Sequence, residues 1–287
     1  MTNSNVSFIL FADDTSVFLS HKNPDTLINT INSELGCIYD WICCNKLSLN
    51  VQKTRCMLFS NSISTLPGNV SLNNTPIDTV DSTKFLGLFI DNKLSWKQHI
   101  TYLSKLLSRN IGVINKIKSS FPSNVLLNLY NTLILPYLNY GILAWGNSSR
   151  IYLDRLLLLQ KRIMRIICFQ NRLAHSDQLF YSNKTLKIQD LYNLRLGCFM
   201  YQLNQGELPA PLTLLFKKKS SFHNYSTRQS SSFHLPLLRT LYKQKTIIYA
   251  GPHFWNSLDE SLKRSPSLFS FKRNLKLNQI NNYTNQS

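Results

Sequence analysis

Two aspartates, Asp13 and Asp14, stand side by side between two apolar, strand-forming runs, Phe8–Ala12 and Thr15–Leu19. Adjacent carboxylates in an apolar setting repel one another, and desolvation adds to the cost of keeping both ionised, so a cation answers the arrangement. The plainer reading is a polar turn between two strands, for which Asp is a common residue. Two-residue hairpin loops, however, favour Asn-Gly or Asp-Gly because the turn needs positive φ, and Asp-Asp brings no glycine. On chemistry alone a metal site and a simple turn both stand. Mg2+ fits the first, since a few carboxylates plus water and substrate phosphates complete its shell. Two such ions about 4 Å apart can activate a 3′-hydroxyl and stabilise a departing pyrophosphate. Strand alternation makes one Asp dominant, and its neighbour joins only through the turn. Two carboxylates do not hold two ions well, so a third from another strand is required, and none is suitably placed upstream.

The elements that must position this turn come from a chain of 287 residues with 43% hydrophobic residues, enough for one large or two modest domains with real cores. Its 32 Lys and Arg against 14 Asp and Glu give a formal net charge of +18. Residues 1–100 hold seven basic and eight acidic side chains, so the positive charge belongs to the remainder of the chain. A field of that sign makes a polyanion the first partner to consider. The six cysteines show no C-x-x-C pairing and the six histidines are scattered. They read as buried free thiols in a reducing compartment, nucleus or cytoplasm, with a zinc site drawing on Cys37, Cys43 or Cys44 as the lesser alternative. No basic region precedes the first apolar run, and Asp13 and Asp14 cut that run short, so no signal peptide is expected. The uncharged stretch between Lys118 and Arg150 is long enough to span a bilayer. Asn128, Asn131, Thr132 and Asn139 share one helical arc there and Pro136 interrupts it, which is the pattern of a half-buried helix, and no membrane is expected.

Along the chain, the Asp-Asp segment reads as a hairpin, followed by a helix capped at Asn23 with Pro24 in its first turn and Leu27, Ile31, Leu35, Ile38 and Ile42 on one face. A strand is expected over Arg55–Phe59, a hairpin over 70–80 turning at Asn73-Asn74, and a strand with an internal glycine over 84–91. The period then changes to helical. Ser95 and Gln98 form a capping box ahead of a stripe of Trp96, Ile100, Leu103, Leu107, Ile114 and Ile117. Further helices are predicted near 123–135, 150–169 and 185–204, with Pro209 and Pro211 closing the bundle. Arg155, Lys161, Arg162 and Arg165 line the third of these four, either as a solvated face or as phosphate contacts. Residues 217–235 read as a linker, whose Lys217–Lys219 run is a solvated one before it is a nuclear address, and 236–277 as a last compact piece before an Asn-rich tail.

Five blocks in this order carry a resemblance. "FADDTSVF" resembles the aromatic-Ala-Asp-Asp box of reverse transcriptases, and "KLSLNVQKTRCMLFS", "KFLGLFIDNKLSWKQHI", "LYNTLILPYLNYGILAWG" and "YAGPHFWNSLDESLKRSPSLFSFKRNLK" resemble the blocks that follow it in LINE-type non-LTR retrotransposons of the jockey-like group. The resemblance implies that Asp13 and Asp14 are Mg2+ ligands, Asp13 the principal one, and that Lys53 lies by the nucleotide phosphates, where an ammonium could protonate or neutralise the leaving pyrophosphate. It implies a primer grip at Phe85, Leu86 and Gly87, with the glycine letting a primer backbone come close. A solvated turn lysine and an ordinary core strand are the plainer readings of those two segments. In that family the fingers, the strand with the first catalytic Asp and the nucleotide-binding motifs precede the FADD box, so a truncated copy, or a reading frame covering only the 3′ portion of an element, is expected.

The expected fold is α+β: a partial palm over 1–92, a helical thumb over 93–216, a linker over 217–235 and a C-terminal module over 236–287. The expected function is a fragment of an RNA-directed DNA polymerase that uses two Mg2+ ions on an RNA template and DNA primer when complete. Alone it should bind nucleic acid without catalysis, with the missing N-terminal palm and fingers as a required partner. A non-catalytic nucleic-acid-binding protein derived from such an element is the alternative, and an intron-maturase-like splicing factor a more distant one.

Overall fold

The computed structural model describes residues 6–60, 66–219, 232–238 and 240–284. The chain is α+β, with small two-stranded sheets in its first part and helices throughout the rest. It divides into two compact units, Met1–Gln98 and His99–Ser287.

In the first unit, β1 (Val6–Phe11) and β2 (Asp14–Leu19) pair antiparallel, with Phe11 opposite Asp14. The helix α1 (Pro24–Cys44) follows, and the Asn23 side chain caps it by accepting from the Asp25 and Thr26 amides at 2.8 and 3.3 Å. A small core forms where Ile31, Leu35 and Tyr39 of α1 meet the buried Val70, Leu72 and Ile77, with Val51, Cys56 and Leu66 at its margin. Asn32 locks this contact: its amide donates to the Asn69 carbonyl at 3.2 Å and its oxygen accepts from the Ser71 amide at 2.9 Å. β3 (Arg55–Cys56) pairs parallel with β6 (Asp78–Thr79), while β4 (Ser71–Leu72) and β5 (Thr75–Pro76) form the expected hairpin, with Asn73 and Asn74 at φ 45° and 60°. The strand expected over Arg55–Phe59 is only two residues long, because its partner β6 offers only two residues to pair with.

The strand expected over 84–91 is instead a hairpin, β7 (Ser82–Phe85) and β8 (Leu88–Asp91), closed by Leu86 and Gly87 at φ 45° and 82°. Two consecutive positive φ values give a two-residue loop whose twist matches that of the flanking strands. The expected capping box is met only in part: the Ser95 hydroxyl accepts from the Lys97 amide at 3.3 Å. The buried Asp91 carboxylate accepts from the Ser95 and Trp96 amides, both at 2.9 Å, and from the Lys93 amide at 3.2 Å, while Gln98 is engaged by the Ser82 hydroxyl at 2.6 Å. Among the cysteines only Cys198 is buried, and burial pushes its thiol up; Cys37, Cys43 and Cys44 are exposed, so the expectation of buried thiols fails for them. They lie towards the outer side of a helix that buries only Ile28 and Glu34.

The second unit opens with α2 (Lys97–Ile117), which buries Ile100, Leu103, Leu107, Ile111 and Ile114 at helical spacing. The uncharged stretch breaks into α3 (Ser123–Leu133), α4 (Leu135–Asn139, with Pro136 in its first turn) and α5 (Ile142–Trp145), which follows Gly141 at φ 60°. Among the described residues no helix is long and apolar enough to cross a membrane. Next come α6 (Arg150–Ile167), α7 (Asp177–Ser182), α8 (Ile188–Gln205) and α9 (Ala210–Thr213). After the Lys218–Phe233 bridge follow α10 (Leu241–Gln244), α11 (Ile247–Ser257), α12 (Glu260–Lys263) and α13 (Leu268–Asn281). Most of the expected linker, 220–231, lies outside the described residues. The segment expected as a C-terminal module lays α11 and α13 on α8.

Gly197 of α8 allows a close approach: a Cβ there would stand 2.6 Å from Leu275 and 3.2 Å from Phe254. Tyr201 stacks on Phe271 at 4.9 Å and meets the edge of Trp255 at 6.5 Å, sealing that interface with rings. At the far end Lys187 pairs with Asp177 at 2.8 Å and lies 4.3 Å over the Tyr283 ring, whose hydroxyl donates to Asp190.

His99 is 2% exposed and stands 5.6 Å from the Trp145 ring, and burial lowers its pKa to about 4. In the unfolded chain a histidine takes up its proton near pH ~6.5. The folded value is therefore depressed, so this contribution is complete above ~6.5 and drains away as pH falls towards 4. Chemical denaturation at pH 7 and pH 4.5 should show a loss on the order of 1 to 3 kcal/mol from this group, and His99→Asn should flatten that part of the profile. An unchanged slope in the variant would contradict the assignment.

Candidate metal turn and nucleic-acid interface

The β1–β2 loop consists of Ala12 and Asp13, because Asp14 already pairs with Phe11 as the first residue of β2. The positive φ that such a loop demands is met by Ala12, at 51°. The pair of acids is thus split between a loop and a strand end, and both are exposed. Water solvates them, so the desolvation expected from the apolar neighbours is not realised in this chain. Those neighbours are themselves uncovered: Ile9, Leu10 and Phe11 are 51%, 71% and 59% exposed, and Phe8 and Phe18 are also in solvent. Carboxylate oxygens with free water are a sound donor set for one hard cation, yet two monodentate carboxylates are few for a pair of ions. Among the described residues no group of three or more His, Cys, Asp or Glu side chains is placed to hold a metal.

Lys53 is exposed in a turn held by Asn50, whose carbonyl and side-chain oxygen accept from the Lys53 amide at 3.1 and 3.2 Å. Among the described residues no ion pair joins it to Asp13 or Asp14. Phe85, Leu86 and Gly87 sit together at the β7–β8 loop, with Phe85 and Leu86 half-buried and Gly87 exposed at the tip. A glycine backbone at such a tip has no Cβ to hold off a neighbouring strand.

The basic stripe of α6 is not one surface. At 3.6 residues per turn Arg162 falls about 20° from Arg155, whereas Arg165 and Lys161 lie about 80° and 120° away. Arg165 donates to the Ala174 carbonyl at 2.9 Å and fastens the loop after α6. Lys161 is half-buried and its charge acts on Asp177. Burial raises the Asp177 pKa, but the Lys187 bond and charge, with help from Ser176 and Lys161, outweigh it and hold this carboxyl below its ordinary range. Arg162 is exposed, and Arg155 opens onto a groove of about 880 Å3 between α2 and α6. That groove brings in three residues that reading the sequence missed, Tyr102, Lys105 and Arg109. The signal was present: Lys105, Arg109 and Lys116 recur within about 40° on the solvent side of α2, opposite its apolar stripe. On α13, Lys276 is lowered by burial first and then by the nearby charges of Lys272 and Lys184, so a second set of cations is crowded together there.

The chain is similar to curated proteins of mobile elements. It is 26% identical over 162 residues to the RNA-directed DNA polymerase from mobile element jockey of Drosophila melanogaster, covering 55% of this chain and 17% of that protein. It is 21% identical over 160 residues to a probable RNA-directed DNA polymerase from transposon X-element of the same species, again 55% of this chain and 18% of the relative. An uncharacterized protein of Caenorhabditis elegans is 26% identical over 184 residues, 62% of this chain and 91% of that protein. The jockey and X-element homologues, matched over about 55% of the chain, are RNA-directed DNA polymerases of non-LTR retrotransposons, and the match spans less than a fifth of their length. No protein-family model matches the chain, and no solved structure matches it.

Because Gly87 holds φ 82°, replacing it tests the turn at the proposed grip. Gly87→Ala should cost about 1 to 2 kcal/mol in urea unfolding of the first unit, and Leu86→Asn should cost nothing or stabilise slightly, since Asn tolerates the left-handed region. Equal losses in both variants would show that side-chain packing, and not backbone conformation, decides this loop.

Proposed function

We propose that this chain is a palm and thumb portion of an RNA-directed DNA polymerase of the non-LTR retrotransposon class, and that alone it binds nucleic acid without extending a primer. The observation that supports it most directly is the Asp13-Asp14 tip, set on an apolar hairpin and followed in order by the other four blocks of that class. In this reading Asp13 and Asp14 hold Mg2+, which when bound activates the primer 3′-hydroxyl and neutralises the departing pyrophosphate. Lys53 supplies a cation, or a proton, to the same phosphates. The Leu86-Gly87 loop steadies the primer backbone, with Phe85 anchoring it. The exposed acids need a third carboxylate and a wall that excludes water, and in the whole polymerase the upstream palm and fingers provide both. The apolar side chains left open on β1 and β2 are what such a neighbour would cover. Binding is assigned to the second unit, whose cations neutralise phosphates with little regard to sequence.

A second reading is a non-catalytic nucleic-acid-binding protein derived from such an element. The Caenorhabditis elegans relative, 91% of which lies within the matched region, bears on it only in that a protein can consist of little more than this region. One experiment separates the two. The purified chain, with and without an added upstream palm and fingers fragment from a jockey-type element, is given an RNA template, a labelled DNA primer, nucleotides and Mg2+. The expected outcome is primer-template binding by the chain alone, steeply weakened by salt, and extension only with the added fragment. Asp13→Asn should then abolish extension by at least about a hundredfold while leaving binding within about twofold. Extension that survives Asp13→Asn overturns the metal assignment; complementation that never restores synthesis favours the second reading.

A further inference from the structure

The groove between α2 and α6 has a composition that phosphate contact alone does not explain. The cations Lys105 and Arg109 from α2 and Arg155 from α6 line it together with Tyr102, Leu158 and Leu159. Tyr102 and Leu158 are 39% and 65% exposed, so apolar surface and positive charge share one solvent-accessible groove. A duplex offers such a surface little: its base faces are stacked inside, and it meets a protein through phosphates and groove edges. A single strand offers a phosphate and an unstacked base together, and aromatic side chains flanked by cations take up that combination. The spacing agrees. Lys105 and Arg109 stand one helical turn apart, about 6 Å along the axis, a separation of the order of that between successive phosphates on an extended strand.

The geometry points to the α2–α6 groove as a binding site for single-stranded nucleic acid, with a base laid on the Tyr102 ring against Leu158 and Leu159 and the flanking phosphates neutralised by Lys105, Arg109 and Arg155. This rests on the nucleic-acid reading of the preceding subsection and names the single-stranded form that this groove takes. An acidic peptide shares the charge complementarity but has no flat π-face for the ring, so the formal charge of +18 and the mobile-element relatives favour the polynucleotide.

The test is fluorescence anisotropy on the full chain with a labelled single-stranded RNA of about 12 nucleotides, a duplex of equal length, and poly-glutamate as competitor. Tyr102→Ala should weaken single-strand binding about tenfold, with duplex binding little changed, and Tyr102→Phe should restore it because the ring remains. Lys105→Gln/Arg109→Gln/Arg155→Gln should flatten the logarithmic salt dependence by about 2, more than a control Lys22→Gln/Lys46→Gln/Lys84→Gln that removes the same charge elsewhere. Equal binding by Tyr102→Ala, equal losses from the two triple variants, competition by poly-glutamate as effective as by RNA, or duplex binding that runs through the same residues while the single strand is not held would each overturn the site and leave the nucleic-acid reading standing. Failure of the wild-type chain to bind either probe at low salt would instead sink that reading, and the groove assignment with it.

Discussion

The second unit depends on one helix being buried almost all round. Along α8, Ile188, Leu191, Tyr192, Leu194, Leu196, Cys198, Met200, Tyr201 and Leu203 are buried, so no single face is left for solvent. A helix of that kind cannot stand at a surface, and its neighbours must be amphipathic helices that each surrender one stripe to it. α6, α11 and α13 do so, with Gly197 removing the Cβ that would push Leu275 away. The charged sides of those outer helices are then forced outward. The positive surface is thus a consequence of how the core is satisfied, and the cations are presented on rigid helices instead of loops.

What could be read from the sequence follows the range over which each signal acts. The Asn23 cap, the turn at Asn73-Asn74 and the apolar stripe of α2 depend on neighbours within a few residues, and all three are found. The Leu86-Gly87 loop was hidden because leucine at φ 45° is a conformation that propensity argues against. At the start of α2 the Ser95 hydroxyl accepts from the Lys97 amide as its type suggests, but the Asp91 carboxylate, which takes the Ser95 and Trp96 amides, reaches them across a bend in which Leu94 and Trp96 take positive φ. The site shows the same division. Composition announced a basic surface, but which cations come together is set by the groove that Lys105 and Arg109 of α2 share with Arg155 of α6. Arg165 and Lys161 looked equivalent to Arg155 until the loop carrying Ala174 and the carboxylate of Asp177 claimed them.

The first unit contrasts with this. Its buried core is limited to the contact of α1 with the strands around Val70, Leu72 and Ile77, and two-residue strands add little of their own. The β1–β2 hairpin carries its long apolar side chains in water on both faces, and a lone two-stranded hairpin is marginal without further burial. Such a sequence is explained more readily by a requirement for covering surface than by the stability of the hairpin itself. The carboxylates at its tip inherit the same condition: both are exposed, and water screens the repulsion between them.

These two conditions separate affinity from chemistry. The net positive charge lies outside the first hundred residues, which hold about as many acids as bases, so the long-range attraction for a polyanion is generated by helices whose packing is independent of Asp13 and Asp14. Beyond a Debye length of about 8 to 10 Å that attraction is screened. Under the proposed function a polynucleotide is therefore drawn to the helices by charge, and the exposed Asp13-Asp14 tip adds nothing to that attraction. On the proposed function, binding should therefore tolerate the loss of Asp13 or Asp14 far better than the loss of the cations on the helices.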